Sequence, residues 1–152
     1  MMIAGVLQAM RLARWAGDRT FAERLVLILH IGYGFVPIGF ILLAAAIIWP
    51  SQVPISAGLH AWTAGAIGLT TLAVMTRASL GHTGHKLVAS LPTQLIYLCS
   101  LIAAVVRIFA AFEPSSVLLH IAGIAWVLAF AGFIVVFGPQ LIGWSRPLHK
   151  GR

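Results

Sequence analysis

Three polar side chains lie inside apolar stretches at a common depth, and their types are those that hold haem. His60 begins one apolar run, Arg107 lies near the end of another, and His120 lies near the start of a third. At about 1.5 Å per helical residue, all three come near the same end of a membrane bundle. Neutral imidazoles can ligate a haem iron, and an arginine can pair with a propionate. The pattern predicts a cofactor-binding group of these three residues.

A second set of candidate ligands lies toward the opposite ends of the same runs. His30 and Met75 are expected at one level, with His82 just beyond them in a loop. Imidazole nitrogens together with a thioether suit copper or haem. The candidate metal ligands are therefore His30, His60, Met75 and His82, and His30 is also a candidate haem ligand. Neither set has a diagnostic spacing, so the residue pattern leaves the ligand pairing open.

Structural roles compete with these ligand roles. His30 could instead hydrogen-bond a carbonyl freed near Pro37, His120 could face interfacial water, and Met75 could simply pack. The helical face of His60 would continue through Ile67, Thr71 and Ala78, which predicts a small, apolar wall beneath it.

Arg107 also has two alternatives. It could extend to the interface or pair with Glu113. However, it shares a helical face with Thr93 and Ser100, and an unpaired arginine in lipid is costly. We therefore expect Arg107 to point into the protein.

The composition is that of a membrane protein. Of 152 residues, 61% are hydrophobic and only 9% are charged, against about 25% in soluble domains. The net charge of +7 comes from basic residues that lie between apolar runs, where membrane topology explains them better than nucleic-acid binding does. Cys99 is the single cysteine, which excludes an intrachain disulfide.

Four runs are long enough to cross a bilayer, which requires roughly 20 helical residues. The chain is therefore predicted to be all-α and polytopic, a single transmembrane domain over 1–152. The expected spans are 25–49, 55–77, 92–112 and 116–139. Residues 1–24 form an interfacial N-terminal segment, as a short helix or as the end of a preceding one. Residues 25–139 form the bundle, and residues 140–152 form a tail.

The charge distribution predicts the orientation. The N-terminal segment, the 77–90 loop and the tail hold nine of the ten basic residues, and the opposite turns hold none. By the positive-inside rule, both termini are cytoplasmic. Pro92 is expected to open the third span, and Ser115 or Ser116 to cap the fourth.

Small residues recur at four-residue spacing in the second span, at Ala57, Ala61 and Gly65. Such a face permits close helix contact in lipid. It serves either the packing of this bundle or contact with a partner.

The wording of two stretches resembles the NnrS family of bacterial membrane proteins. These are LHIGYGFVPIGF at 29–40 and HAWTAGAIGLTTLAVMTRASLGHTG at 60–84, with a weaker match in IAWVLAFAGFIVVFGP at 124–139. The residues that match family motifs by position are His30, His60, Arg77 and His82. Family members are described as polytopic inner-membrane proteins containing haem and copper, linked to denitrification and resistance to nitric oxide. They are usually much longer, and this chain is similar to their C-terminal third.

The resemblance implies a bacterial inner-membrane protein that binds haem, with copper as a second candidate, in nitric oxide or nitrosative-stress metabolism. No acidic pair or nucleophile–base set is present to assign a reaction. The alternative is an accessory transmembrane subunit without its own cofactor. A transporter fragment, with Arg107 facing an anion path, is a third hypothesis. Expected partners are the lipid bilayer and either further copies of this chain or other membrane subunits.

Overall fold

The computed structural model describes residues 1–15 and 23–143, and this part of the chain is all-α. Four of its five helices are long and apolar enough to span a membrane, as predicted. The helices are α1 (Met2–Ala13), α2 (Arg24–Ile48), α3 (Ile55–His82), α4 (Leu91–Phe112) and α5 (Ser116–Leu141). The remainder of the N-terminal segment, 16–22, and the tail from residue 144 onward lie outside the described residues.

Helix α3 is longer than predicted, and this corrects the position of His82. The predicted span ended at Arg77 because a charge marks the limit of the apolar run, but a helix can continue past the hydrocarbon. It ends in a Schellman motif at Gly84, whose φ is 71°. The His85 N–H donates to the Leu80 carbonyl at 2.9 Å, beyond Gly84. His82 is therefore the last helical residue and not part of the loop.

The predicted helix starts are confirmed. Pro92 lies in the first turn of α4, where its missing N–H costs no hydrogen bond. Ser115 is the N-cap residue of α5, although its side chain makes no capping hydrogen bond.

Helices α2 and α3 pack antiparallel at close range through glycines. A Cβ added at Gly58 would lie 2.6 Å from Leu43, and one added at Gly32 would lie 2.9 Å from Thr70. On the same helix as Gly58, Ala57 and Ala61 are fully buried. The Ala57, Ala61 and Gly65 face therefore serves packing within this bundle, which leaves it covered against any partner.

Helix α1 lies lengthwise along α2 and antiparallel to it. Gly5 faces Ile41 and Phe40, and the Tyr33 hydroxyl donates a hydrogen bond to the Gln8 side chain. Trp15 lies beyond the end of α1 and packs on Tyr33 with ring centroids 4.8 Å apart. Helix α1 therefore runs alongside α2 past the middle of that helix, and the arrangement of the N-terminal segment at the membrane stays a prediction.

Candidate functional site

His60 and Arg107 line the same cavity between α3, α4 and α5. Its volume is about 320 Å³, and we call it the His60 cavity. The other lining residues are Thr63, Ala64, Ala103, Leu119, Ala122, Gly123 and Trp126. An imidazole and a guanidinium thus share an otherwise largely apolar space between three membrane helices.

A π-helical stretch, Ala61–Ile67, begins directly after His60 and interrupts α3. Such stretches are rare and occur frequently at functional sites, because the wider turn redirects the side chains on either side. Here it turns Thr63 and Ala64 toward the same cavity as His60. The Thr63 hydroxyl donates to the Leu59 carbonyl at 2.8 Å, so its oxygen presents only acceptor lone pairs to the cavity.

The wall predicted beneath His60 is wrong for the same reason. Ile67 is 61% exposed, and Thr71 and Ala78 are also exposed. The prediction assumed an uninterrupted helix of 3.6 residues per turn, and the π-helical stretch breaks that register. Neighbouring helices supply the wall instead.

Trp62 holds the π-helical stretch against α2. Its indole N–H donates to the Val36 carbonyl at 3.1 Å, and its ring meets Phe40 edge-on with centroids 4.8 Å apart. The ring lies over Gly39, where no Cβ could be accommodated. These contacts hold Trp62 in place. Because Trp62 lies two residues after His60, they also hold the direction of the His60 side chain.

The floor and sides of the His60 cavity are formed by small residues and one large aromatic ring. Ala103 and Ala122 are buried and too small to fill the space between helices. Trp126 approaches Gly68 so closely that an added Cβ would lie 2.7 Å from its ring. The cavity is therefore a consequence of small side chains on α4 and α5 beside one tryptophan.

Arg107 points into the protein, as expected. It is half-buried and lines the cavity together with Ala103, one turn before it. On the same helix, Thr93 and Ser100 are fully buried. Ser100 Oγ has no hydrogen-bond partner within the described part of the chain. The polar face of α4 is therefore internal.

His120 does not join His60 and Arg107. It is exposed, and its Nδ1–H donates to the Ser116 carbonyl at 2.6 Å. The neighbouring residue Leu119 takes the position in the cavity. Adjacent helical residues point about 100° apart, so an equal depth did not bring this histidine to the same space.

The second set of candidate ligands is not brought together. The His30 ring packs edge-on against Trp15 at 5.9 Å, and its Nδ1–H donates to the Val26 carbonyl at 3.2 Å. Its Nε2 is buried with no partner in the part of the chain that the structure describes. Met75 is 37% exposed on the surface of α3, and His82 is exposed at its end.

Few candidate metal ligands therefore lie close together in the described part of the chain. Within residues 1–15 and 23–143, no group of three or more His, Cys, Asp or Glu side chains could hold a metal ion. What remains is one imidazole beside one guanidinium in a cavity, with His30 as a separate, half-buried imidazole whose Nε2 is buried.

Sequence reasoning missed Thr63 and Trp126 as cavity residues. Both lie within the stretches whose wording is distinctive, at 60–84 and 124–139. The sequence shows that a tryptophan and glycines are present on different helices. Only the tertiary structure shows that Trp126 packs on Gly68.

Comparison with known proteins gives one match. The family model for the NnrS protein matches residues 1–144. No curated protein and no solved structure matches the chain.

Proposed function

The chain belongs to the NnrS family of multi-pass membrane proteins, and on that premise we propose that it binds haem through His60 and acts in nitric oxide or nitrosative-stress metabolism. The observation that carries this proposal is the shared cavity of His60 and Arg107. The setting is a bacterial inner membrane with both termini in the cytoplasm, which the nine-to-none split of basic residues between the two sets of loops supports.

The donor set of the His60 cavity fits a haem that the His60 imidazole would hold. Among the described residues that line the cavity, His60 is the one imidazole. Arg107 has the charge and the planar fork that suit a propionate carboxylate. Trp126 and Leu119 offer apolar surface to a macrocycle.

When bound, haem would supply an iron that takes a diatomic ligand such as nitric oxide. The chain itself contributes the orientation of the imidazole through the π-helical stretch and the neutralisation of a carboxylate by Arg107. Apolar residues of α4 and α5 line most of the rest of the same space.

Copper does not enter this proposal. Its candidate ligands His30, Met75 and His82 point to different surroundings, and His60 has no second nitrogen or sulfur ligand among the described cavity residues. Copper binding stays a prediction that metal analysis of the purified protein tests.

The proposal is tested by the absorption spectrum and haem content of the protein purified in detergent after expression with ample haem supply. The wild type should show a Soret band, and His60→Ala should lose it while its level in the membrane persists. His120→Ala is the matched control, because this histidine has the same depth but lies outside the cavity. It should retain full haem content.

Arg107→Gln should weaken haem binding by roughly tenfold, the equivalent of one charge-assisted hydrogen bond. Cells carrying His60→Ala should also lose protection against nitric oxide. A His60→Ala protein with unchanged haem and protection would overturn the proposal, as would a wild type without any Soret band.

A further inference from the structure

A second cavity, of about 580 Å³, lies at the opposite end of the bundle from the His60 cavity. It forms where α2 begins, α3 approaches its end and α4 begins. Arg24, Arg77 and Gln94 line it together with the connection at 87–89. We call it the Arg77 cavity. It shares no lining residue with the His60 cavity.

Hydrogen bonds hold one side of the Arg77 cavity in place. The Gln94 amide nitrogen donates to the Ala89 carbonyl at 2.9 Å, which fixes the amide plane at the start of α4. The amide oxygen then accepts from an Arg24 guanidinium nitrogen. Because a guanidinium has five N–H donors, Arg24 keeps most of them for a ligand. Gln94 is thus a positioning residue for Arg24.

The charge of this cavity is positive. Two guanidinium groups line it, and among the residues that the structure describes Glu23 is the one carboxylate that does so. Arg77 belongs to α3 and Arg24 to α2, so packing of the two helices brings the two charges to one space. Concentrating like charge in this way costs free energy unless an anion offsets it.

The surroundings of the Arg77 cavity are those of a membrane interface. Arg24 is the first residue of its spanning helix, so the cavity lies at the level of lipid headgroups. Two apolar side chains that line it are exposed, with Leu87 at 50% and Val88 at 67%. Basic pockets between spanning helices at this level bind phosphate headgroups.

We propose that Arg24 and Arg77 form a binding site for a phosphate oxyanion. Arginine forks match the geometry of phosphate oxygens and bind them in a bidentate manner. The phosphate can belong to an anionic phospholipid, with its acyl chains against Leu87 and Val88, or to a free phosphate in solution. This site is independent of haem binding at His60.

Two measurements on the full-length protein separate the two sources of phosphate. Binding of inorganic phosphate is measured by calorimetry on the protein in a zwitterionic detergent. Binding of lipid is measured by thermal unfolding in nanodiscs of phosphatidylglycerol and of phosphatidylcholine, together with mass spectrometry of co-purified lipid. Phosphate binding in detergent would identify a free anion. Stabilisation and retention by phosphatidylglycerol alone would identify the headgroup.

The variants test the assignment to these arginines. Arg77→Gln should weaken whichever binding is observed by at least about tenfold, the value of one hydrogen bond to a charged group. Lys86→Gln is the matched control, because it removes the same charge from the same end of the bundle but outside the cavity. It should change binding by less than a factor of about two, as expected for a screened surface charge.

If Arg77→Gln does not purify as a helical, monodisperse protein, Arg77→Lys is measured in its place. It retains the charge and loses the fork, so binding should still weaken. The proposal is overturned if neither probe binds the wild type, or if the Arg77 variants and Lys86→Gln weaken binding equally.

Discussion

His60 and His120 occupy comparable depths, yet their surroundings differ in kind. His60 is half-buried and lines the same cavity as a guanidinium, whereas His120 is exposed and its Nδ1–H donates to a carbonyl of its own helix. Burial and direction, and not depth, therefore separate a candidate ligand from an interfacial histidine. His30 is a third case, since its Nε2 is buried without a partner in the described part of the chain.

Glycines at helix crossings should be sensitive to a single methyl group. At Gly39 an added Cβ would overlap the Trp62 ring, which is held by its hydrogen bond to Val36. We expect Gly39→Ala to lower the free energy of unfolding by about 1–3 kcal/mol, the usual cost of overpacking. Thermal unfolding in detergent, followed by circular dichroism, measures it.

Gly81→Ala is the control for this substitution. Nothing lies within 4 Å of a Cβ built at Gly81, so the added methyl group should stabilise the helix by about 0.4–1 kcal/mol. Equal destabilisation by both substitutions would contradict the packing of Trp62 over Gly39.

The π-helical stretch is the local structure on which the direction of His60 depends. It contains Gly65 and ends before Gly68, and both glycines meet aromatic rings of other helices. Its wide turn is thus wedged between Phe35 of α2 and Trp126 of α5. Because these contacts come from two neighbouring helices, the stretch is held by tertiary packing.

Inserting one alanine between Ile67 and Gly68 should change the helical register, because the wide turn already accommodates one additional residue. His60 would then rotate by about 100° relative to Gly68–His82. We expect membrane insertion to persist, since the span remains long enough, but haem content to fall as it does for His60→Ala. Haem content per milligram of membrane-inserted protein is the measurement.

Insertion of one alanine after Gln52 is the control, because it lengthens the exposed turn between α2 and α3 and leaves both helices intact. It should retain haem. The importance of the helical register between His60 and Gly68 is refuted if the insertion before Gly68 binds haem like the wild type.

Taken as a whole, the molecule has one strongly basic end. Arg24, Arg77 and Lys86 come to the end of the bundle where α2 begins and α3 ends. The opposite turns, 49–54 and 113–115, carry Glu113 as their one charge. The accessory-subunit hypothesis rested in part on the Ala57, Ala61 and Gly65 face. This face is covered by the chain's own helices and does not support contact with a partner.

The orientation of the bundle is tested by labelling with an impermeant thiol reagent. In a Cys99→Ala background, a cysteine introduced at Gln52 should react in intact spheroplasts, and one introduced at Ser90 should not. Both positions are exposed in the structure, so protection at either reflects the membrane and not burial. The reverse labelling pattern would overturn the prediction that both termini are cytoplasmic.

Local composition determined the all-α membrane fold class and most of the helix positions. Long apolar runs can satisfy their backbone in lipid only as helices, and prolines and serines mark where they begin. The predicted spans therefore agree with α2, α4 and α5 to within a few residues. The motif wording also pointed to the NnrS family, which the match over residues 1–144 confirms.

Tertiary packing decided which side chains meet. His60 with Arg107, and Arg24 with Arg77, come from different helices, and rotation about each helix axis is set by its neighbours. The π-helical stretch could not be predicted because its wide turn is favoured only where Phe35 and Trp126 pack against its glycines. Depth along a helix follows from counting residues, but direction around it depends on register and on the surfaces of the other helices.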